Sequence, residues 1–263
     1  MKQRVISAIF IILITTASIY FGGYFLLAVC GFIDIWGSIE VSNLRKKRSV
    51  PLLITTIVFT LLLTFGVLIN ENMQTIAILI EPIVLTTLAV FIDDIDFKDC
   101  GTVFLMSVII GIGCYYFIYI DGFSKLLFTY VVIICYVTDA CALFVGSKLG
   151  KHKLNERISP KKSIEGFIGG WLCGGIISFI FAYLFKFFYM PEIVIIIGSI
   201  TLPLLSQIGD LIFSMVKRFY DVKDYSNLIP GHGGLLDRLD SLFITVLFLG
   251  AICLILVWGK FYY

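Results

Sequence analysis

Residues 102–120 read TVFLMSVIIGIGCYYFIYI, a run without one charged side chain. A helix rises 1.5 Å per residue, so about 20 apolar residues cross a bilayer. This run is therefore read as a membrane span. Working outward, similar stretches fall roughly at 4–20, 22–41, 51–69, 74–92, 125–149, 166–189, 191–213 and 236–258, which makes nine candidate helices. The first follows Lys2 and Arg4 in the manner of a signal peptide. No small-residue cleavage site leads from it into a soluble region, so it is kept as a span.

Composition agrees with an all-α, polytopic integral membrane protein. The 263 residues are 59% hydrophobic and 14% charged, against about 25% charged in soluble domains, and the mean hydropathy is +1.02. A soluble enzyme, a disordered scaffold and a secreted receptor ectodomain are set aside. A net charge of +2 gives no reason to expect a nucleic-acid partner. The seven cysteines lie singly, without a CxxC pair, which argues against a disulfide framework or a zinc site.

Lysine and arginine stay on the cytoplasmic side of spans. With nine spans and the N-terminus inside, 17 of the 20 basic residues fall inside and only Lys125, Lys186 and Lys260 outside. The C-terminus then lies outside. The outside connections are little more than turns, whereas two inside loops, about 148–165 and 214–235, are longer. Residues 1–100 are read as N-terminal transmembrane helices and 101–263 as the C-terminal helices carrying the chemistry, within one integrated membrane unit. The acidic run Asp93, Asp94, Asp96 and Asp99 is read as a solvated loop.

A carboxylate at a span centre costs roughly 2.5–3.5 kcal/mol, so intramembrane acids face a cavity, a partner or an ion. Asp139 and Asp210 are the leading cases; Asp34, Glu40 and Glu81 are weaker, lying near predicted ends or beside Pro82. Ser206, Asp210, Ser214, Lys217 and Asp221 recur at steps of 4, 4, 3 and 4, one face of a helix. Such a stripe also suits hydrogen bonding between packed helices.

Beyond Ser214 the chain is dense in phosphate chemistry. Lys217, Lys223, Arg218 and Arg238 offer point charges and planar forks for phosphate oxygens. Gly231, Gly233 and Gly234 let backbone N–H groups turn toward an anion. Asp237 and Asp240 share a helix face at i and i+3. Oxygen ligands of this kind suit Mg²⁺, which usually bridges carboxylates to substrate phosphates. Together these groups at a membrane surface suggest phosphoryl or nucleotidyl transfer to a lipid. His232 is a weaker candidate for a general base. Ser159-Pro160 reads as an N-cap with proline at N1, aiming a helix N-terminus at phosphate beside Lys161 and Lys162. Gly166, Gly170 and Gly174, with Ala142, Gly146 and Gly150, read as helix-packing faces.

The run Ser214, Lys217-Arg218, Lys223-Asp224, Ser226, Pro230, His232-Gly233-Gly234, Asp237-Arg238 and Asp240 resembles the signature of the phosphatidate cytidylyltransferases, or CDP-diacylglycerol synthases. Lys2-Gln3-Arg4-Val5-Ile6, Ser159 to Gly166 and Gln207-Ile208-Gly209-Asp210 extend the resemblance over nearly the whole chain. Phe213 stands where that family commonly has an acid, and Leu143 where a tyrosine is common after Asp139. The resemblance implies a nucleotidyltransferase that converts CTP and phosphatidic acid to CDP-diacylglycerol and pyrophosphate. Mg²⁺ is implied as cofactor, with room for a second cation.

On that reading Asp210, Asp237 and Asp240 hold metal, and Lys217, Arg218 and His232 join them in the catalytic set. Ser159, Lys161, Lys162, Ser214, Lys223, Asp224, Ser226, Gly233, Gly234, Arg238 and Asp139 line the substrates. The expected setting is a bacterial plasma membrane with a cytoplasmic active site, and a homodimer is compatible with it. Competing readings are an isoprenoid-lipid cytidylyltransferase, a CTP-using lipid kinase, and a transporter of an anionic substrate.

Overall fold

The structure, a computed structural model, describes residues 2–45, 47–185, 192–229, 231 and 233–261. Lys186, Pro230 and His232 of the readings above lie outside the described residues. The chain runs α1 (Lys2–Phe21), α2 (Gly23–Ser42), α3 (Val50–Phe65), α4 (Met73–Phe91), α5 (Phe97–Phe123), α6 (Lys125–Leu149), β1 (Lys153–Asn155), β2 (Ser159–Ser163), α7 (Ile164–Leu184), α8 (Glu192–Phe219) and α9 (Leu236–Phe261). From α2 onward, eight helices are long and apolar enough to cross a membrane; the apolar part of α1 within the described residues, Ile9–Phe21, is shorter. Large apolar side chains such as Phe10, Val90, Ile180 and Ile255 are exposed, as lipid-facing surface requires.

Several boundaries differ from the hydropathy reading. Helix α5 begins at Phe97 because Asp96 and Asp99 form a capping box, Asp99 Oδ2 accepting from the Asp96 N–H at 3.3 Å. Polar residues start this helix, so an apolar window opens it five residues late. Helix α8 continues to Phe219, carrying Ser214 and Lys217 on helix. Asp221 lies beyond that end with φ +56°, so it does not continue the α8 stripe. The expected N-cap at Ser159 is also corrected. Ser159–Ser163 is a strand antiparallel to Lys153–Asn155, and the cap belongs to Ser163, whose Oγ accepts from Gly166 N–H at 3.1 Å. A proline after a serine fits an edge strand as well as a helix start. Four residues after Ser159, Ser163 stands just before the glycine-rich α7, whose Gly166 supplies the N–H that its hydroxyl catches.

The chain divides into two compact units, residues 1–125 with 219–239, and 126–218 with 240–263. In the first, Leu52, Leu63, Leu85, Met106 and Ile110 are fully buried. Polar pairs lie among them, Ser38 with Thr60 at 3.1 Å and Ser107 donating to Glu81. Thr64 donates to the Gly111 carbonyl at 3.0 Å. In the second, Phe213 stacks on Phe243 with centroids 6.0 Å apart, and Gln207 donates to the Phe167 carbonyl at 3.0 Å.

The small-residue faces of α6 and α7 do pack. A Cβ on Gly170 would come within 2.7 Å of Ala142 Cβ and 2.8 Å of the Thr138 carbonyl; one on Gly166 would lie 2.8 Å from the Ala142 carbonyl and 2.9 Å from Gly146 Cα. Backbones approach this closely only where side chains are absent.

Candidate active site

The sequence-predicted residues fall in two groups, one in each unit. In the second unit the polar stripe of α8 faces inward. Ser206 is fully buried and Ser214 and Lys217 nearly so, and Ser214 Oγ donates to Asp210 Oδ1 at 3.2 Å. The other Asp210 oxygen, Oδ2, is paired with Lys162 Nζ at 2.5 Å, both side chains about a quarter exposed. Lys162 comes from β2, so the hairpin loop and the α8 stripe meet at one ion pair. Arg218 Nε donates to the Ile158 carbonyl of the same hairpin at 3.3 Å.

Asp240, buried on α9, lies within electrostatic range of Asp210, Lys217 and Asp139. Asp240 Oδ1 accepts the Ser241 N–H at 2.8 Å. Three carboxylates and two lysines therefore share one neighbourhood. Asp139 is exposed on α6, not buried as its place in an apolar run suggested. Lys161 is exposed and Ser159 half-buried.

In the first unit the signature folds around two carboxylates. Asp237 Oδ2 accepts the N–H of Tyr225 at 2.9 Å and of Gly234 at 2.8 Å. Glu40 Oε1 accepts from Ser226 Oγ at 2.6 Å and Leu235 N–H at 2.8 Å, while Oε2 accepts from Leu236 N–H at 2.8 Å. Gly233 has φ +86°, and a Cβ there would sit 2.8 Å from Asp237 Oδ2, so only glycine suits the turn. Ile229 and Gly233 form an isolated antiparallel bridge that closes the loop. Lys223, Asp224 and Arg238 are exposed and Ser226 half-buried.

The loop's entrance is anchored as well. Tyr220 Oη donates to Asp99 Oδ1 at 3.0 Å, and Asp99 Oδ2 pairs with Arg45 Nε at 2.7 Å. Arg45 Nη2 donates to the Asp94 carbonyl. Burial, with Asp99 alongside, pushes the Tyr220 hydroxyl up to about 12. The acidic run is thus only partly the solvated loop expected of it. Asp94 does meet Lys47 at the surface, 2.6 Å away, which holds its carboxyl below the usual aspartate value; Asp99 is buried.

Among the described residues, no group of three or more His, Cys, Asp or Glu forms a ready-made metal cage. Mg²⁺ is usually held by one or two carboxylates completed by substrate phosphates and water. Asp210 and Asp240, oxygen donors within range of one another, fit that chemistry.

Comparison with known proteins adds the decisive observation. Residues 2–256 match the model of a family described as the cytidylyltransferase family. The chain belongs to the cytidylyltransferase family. It is 32% identical over 262 residues to a protein of Bacillus subtilis (strain 168) named phosphatidate cytidylyltransferase, covering 95% of this chain and 96% of that one. Proteins of the same name from Staphylococcus haemolyticus (strain JCSC1435) and Staphylococcus aureus (strain COL) are each 32% identical over 248 residues, 92% of this chain and 94% of theirs.

Of the two departures from the cytidylyltransferase pattern, Phe213 is fully buried against Phe243. It serves packing, and no polar role passes to it. Leu143 is 76% exposed, and its side chain has no hydroxyl to offer. The sequence reading ranked Glu40 low and did not single out Arg45, Asp99 or Tyr220 as a group. Glu40 was already visible as an acid inside an apolar stretch. The Arg45–Asp99–Tyr220 chain joins residues far apart in sequence, and no local pattern marks it.

Proposed function

We infer that this chain is a phosphatidate cytidylyltransferase, a membrane nucleotidyltransferase of phospholipid biosynthesis. It transfers the cytidylyl group of CTP to phosphatidic acid and releases pyrophosphate. The observation that carries this reading is the full-length family match with the Ser214–Asp240 signature intact. A phosphate oxygen of the lipid attacks the α-phosphorus of CTP. The new P–O bond forms as the bond to the β-phosphate bridging oxygen breaks, and that electron pair leaves with pyrophosphate. The lipid phosphate is already anionic at neutral pH, so repulsion between anions dominates the barrier. Catalysis is therefore mostly charge neutralisation and positioning.

In this reading residues 101–263 carry the reacting groups. Asp210, Asp240 and Asp237 are the proposed holders of Mg²⁺, which when bound supplies positive charge to the triphosphate. Lys217, Arg218, Lys223 and Arg238 grip phosphate oxygens. Lys162, paired with Asp210 before substrate arrives, turns to a phosphate when one enters; Lys161 and Ser159 flank it. His232 is not needed as a base for an ionised nucleophile. The 17-to-3 division of basic residues supports a cytoplasmic N-terminus and a cytoplasmic active site in a bacterial plasma membrane. A homodimer is compatible with this reading, and cross-linking in native membranes tests it.

Purified protein incubated with phosphatidic acid, CTP and Mg²⁺ should yield CDP-diacylglycerol and pyrophosphate, with ATP, GTP and UTP poor substitutes. Turnover of an isoprenoid phosphate instead, or phosphorylation of a lipid alcohol, would move the chain to a neighbouring lipid-modifying activity. Uptake of phosphate or cytidine into sealed vesicles without lipid product would favour a transporter.

A further inference from the structure

The N-terminal helices offer no reacting group to the chemistry above, yet one of their side chains is bound into the signature. Glu40 sits two residues before the end of α2 and is fully buried. Its two oxygens accept three hydrogen bonds, all from the 226–236 segment. Two of the donors, the N–H groups of Leu235 and Leu236, belong to the start of α9, where N–H groups have no intrahelical acceptor. The third, Ser226 Oγ, pins the other side of the loop.

The fit is close. A Cβ on Gly234 would lie 2.7 and 2.8 Å from the two Glu40 oxygens, and one on Gly37, a turn earlier on α2, would lie 3.3 Å from a Leu236 methyl. A buried carboxylate with this many donors is an ordered anchor rather than a stray charge.

We propose that Glu40 is a positioning residue for cytidylyl transfer. By fixing Ser226 and the first turn of α9, it sets where Asp237 and Arg238 stand, without touching substrate itself. Asp237 follows directly on the Leu236 amide that Glu40 holds, and its Oδ2 closes the same loop onto Tyr225 and Gly234. Loss of the anchor leaves the buried Leu236 N–H and the half-buried Leu235 N–H without their acceptor and lets the loop swing. Misplacing reacting groups by about 1 Å costs on the order of 10²-fold in rate. The role rests on the cytidylyltransferase reading for its kinetic consequence, but its structural consequence does not.

Full-length Glu40→Gln, Glu40→Ala and Glu40→Asp, purified in detergent micelles, are compared with wild type by steady-state kinetics and by amide hydrogen exchange. In the Gln variant an NH₂ faces the backbone donors. The expected kcat falls are about 10-fold for Gln and about 10²-fold for Ala, with KM for phosphatidic acid within twofold. The shorter carboxylate of Asp should restore part of the Ala loss. Exchange should quicken over 225–238 in the Gln and Ala variants while α3 and α5 keep their protection.

Gly234→Ala should cost activity in the wild-type background and add little in Glu40→Ala, because the carboxylate it would strike is gone. Wild-type kcat in Glu40→Ala, unchanged exchange over 225–238, or protection lost uniformly across the chain would each overturn the role. If wild type itself makes no CDP-diacylglycerol, the functional reading fails, and exchange over 225–238 still decides whether Glu40 holds the loop.

Discussion

Replacing Asp99 by alanine strikes the chain of contacts that ties the signature loop to the N-terminal helices. The Arg45 and Asp99 side chains are 6% and 11% exposed and 2.7 Å apart. Among the described residues Arg45 Nη1 has no hydrogen-bond partner, so the substitution leaves a buried guanidinium held chiefly by the Asp94 carbonyl. Removing one member of a buried ion pair costs about 3–5 kcal/mol, or about 10²- to 10⁴-fold in the folding equilibrium. Loss of the Asp96–Asp99 capping box acts in the same direction. Unfolding of the purified protein in mixed micelles, titrated with a denaturing detergent, measures the cost. Two comparisons make it specific. Asp94→Ala, which removes the partner of the exposed Lys47, should leave the midpoint unchanged at 0.15 M salt, where surface pairs contribute little. Arg45→Met with Asp99→Leu should recover much of the loss, since apolar replacement of a buried pair is often neutral or better. A shift below about 1 kcal/mol for Asp99→Ala, or a double variant no better than the single, would refute the assignment of a buried, stabilising pair.

Asp210→Asn and Asp237→Asn should each abolish turnover while leaving the protein folded in the membrane, because amide and carboxylate match in size but not in charge; near wild-type activity with unchanged Mg²⁺ dependence would remove them from the metal site. Tyr220 should stay neutral until about pH 12. Its raised value means that its contribution to stability is complete below pH 10 and is lost as pH climbs toward 12; the alkaline difference spectrum at 295 nm between wild type and Tyr220→Phe reads that titration. In a background lacking the seven native cysteines, single cysteines at Lys153 and Ser226 should react only from the cytoplasmic side and one at Tyr262 only from the other. Labelling of Ser226 and Tyr262 from the same side would defeat the nine-span reading.

What could be read without coordinates was whatever is written in neighbouring residues. The spans are long apolar runs, and the signature is a contiguous string, so both were legible. The glycine spacing on α6 and α7 likewise reports a helix face. Boundaries were less legible where polar residues belong to the helix, as at Asp96–Asp99, or where serine and proline serve a strand, as at Ser159-Pro160. Long-range pairing was not legible at all. Glu40 lies 186 residues from Ser226 and Tyr220 lies 121 from Asp99, and nothing in either local sequence names the partner. Lys162 and Asp210 were each singled out, yet their contact needed the hairpin to turn back on α8.

The glycine seam between α6 and α7 admits one axial register. Sliding α7 by a residue would bring Phe167 or Trp171 to positions where Gly166 and Gly170 now meet backbone, and the helices would have to part by the width of a side chain. Ser163, the cap of α7, is held against this seam, since Cβ atoms on Gly146 or Gly150 would crowd its Oγ at 3.1 and 2.6 Å. Lys162 immediately precedes that cap. The lysine's distance from Asp210 is therefore set by the stacked glycines of the α6–α7 seam as much as by the polar loop that carries it. A lipid-facing substitution on α7 should be silent, whereas one extra methyl at Gly170, further along the helix from Ser163, should register as a change in how Lys162 meets its carboxylate.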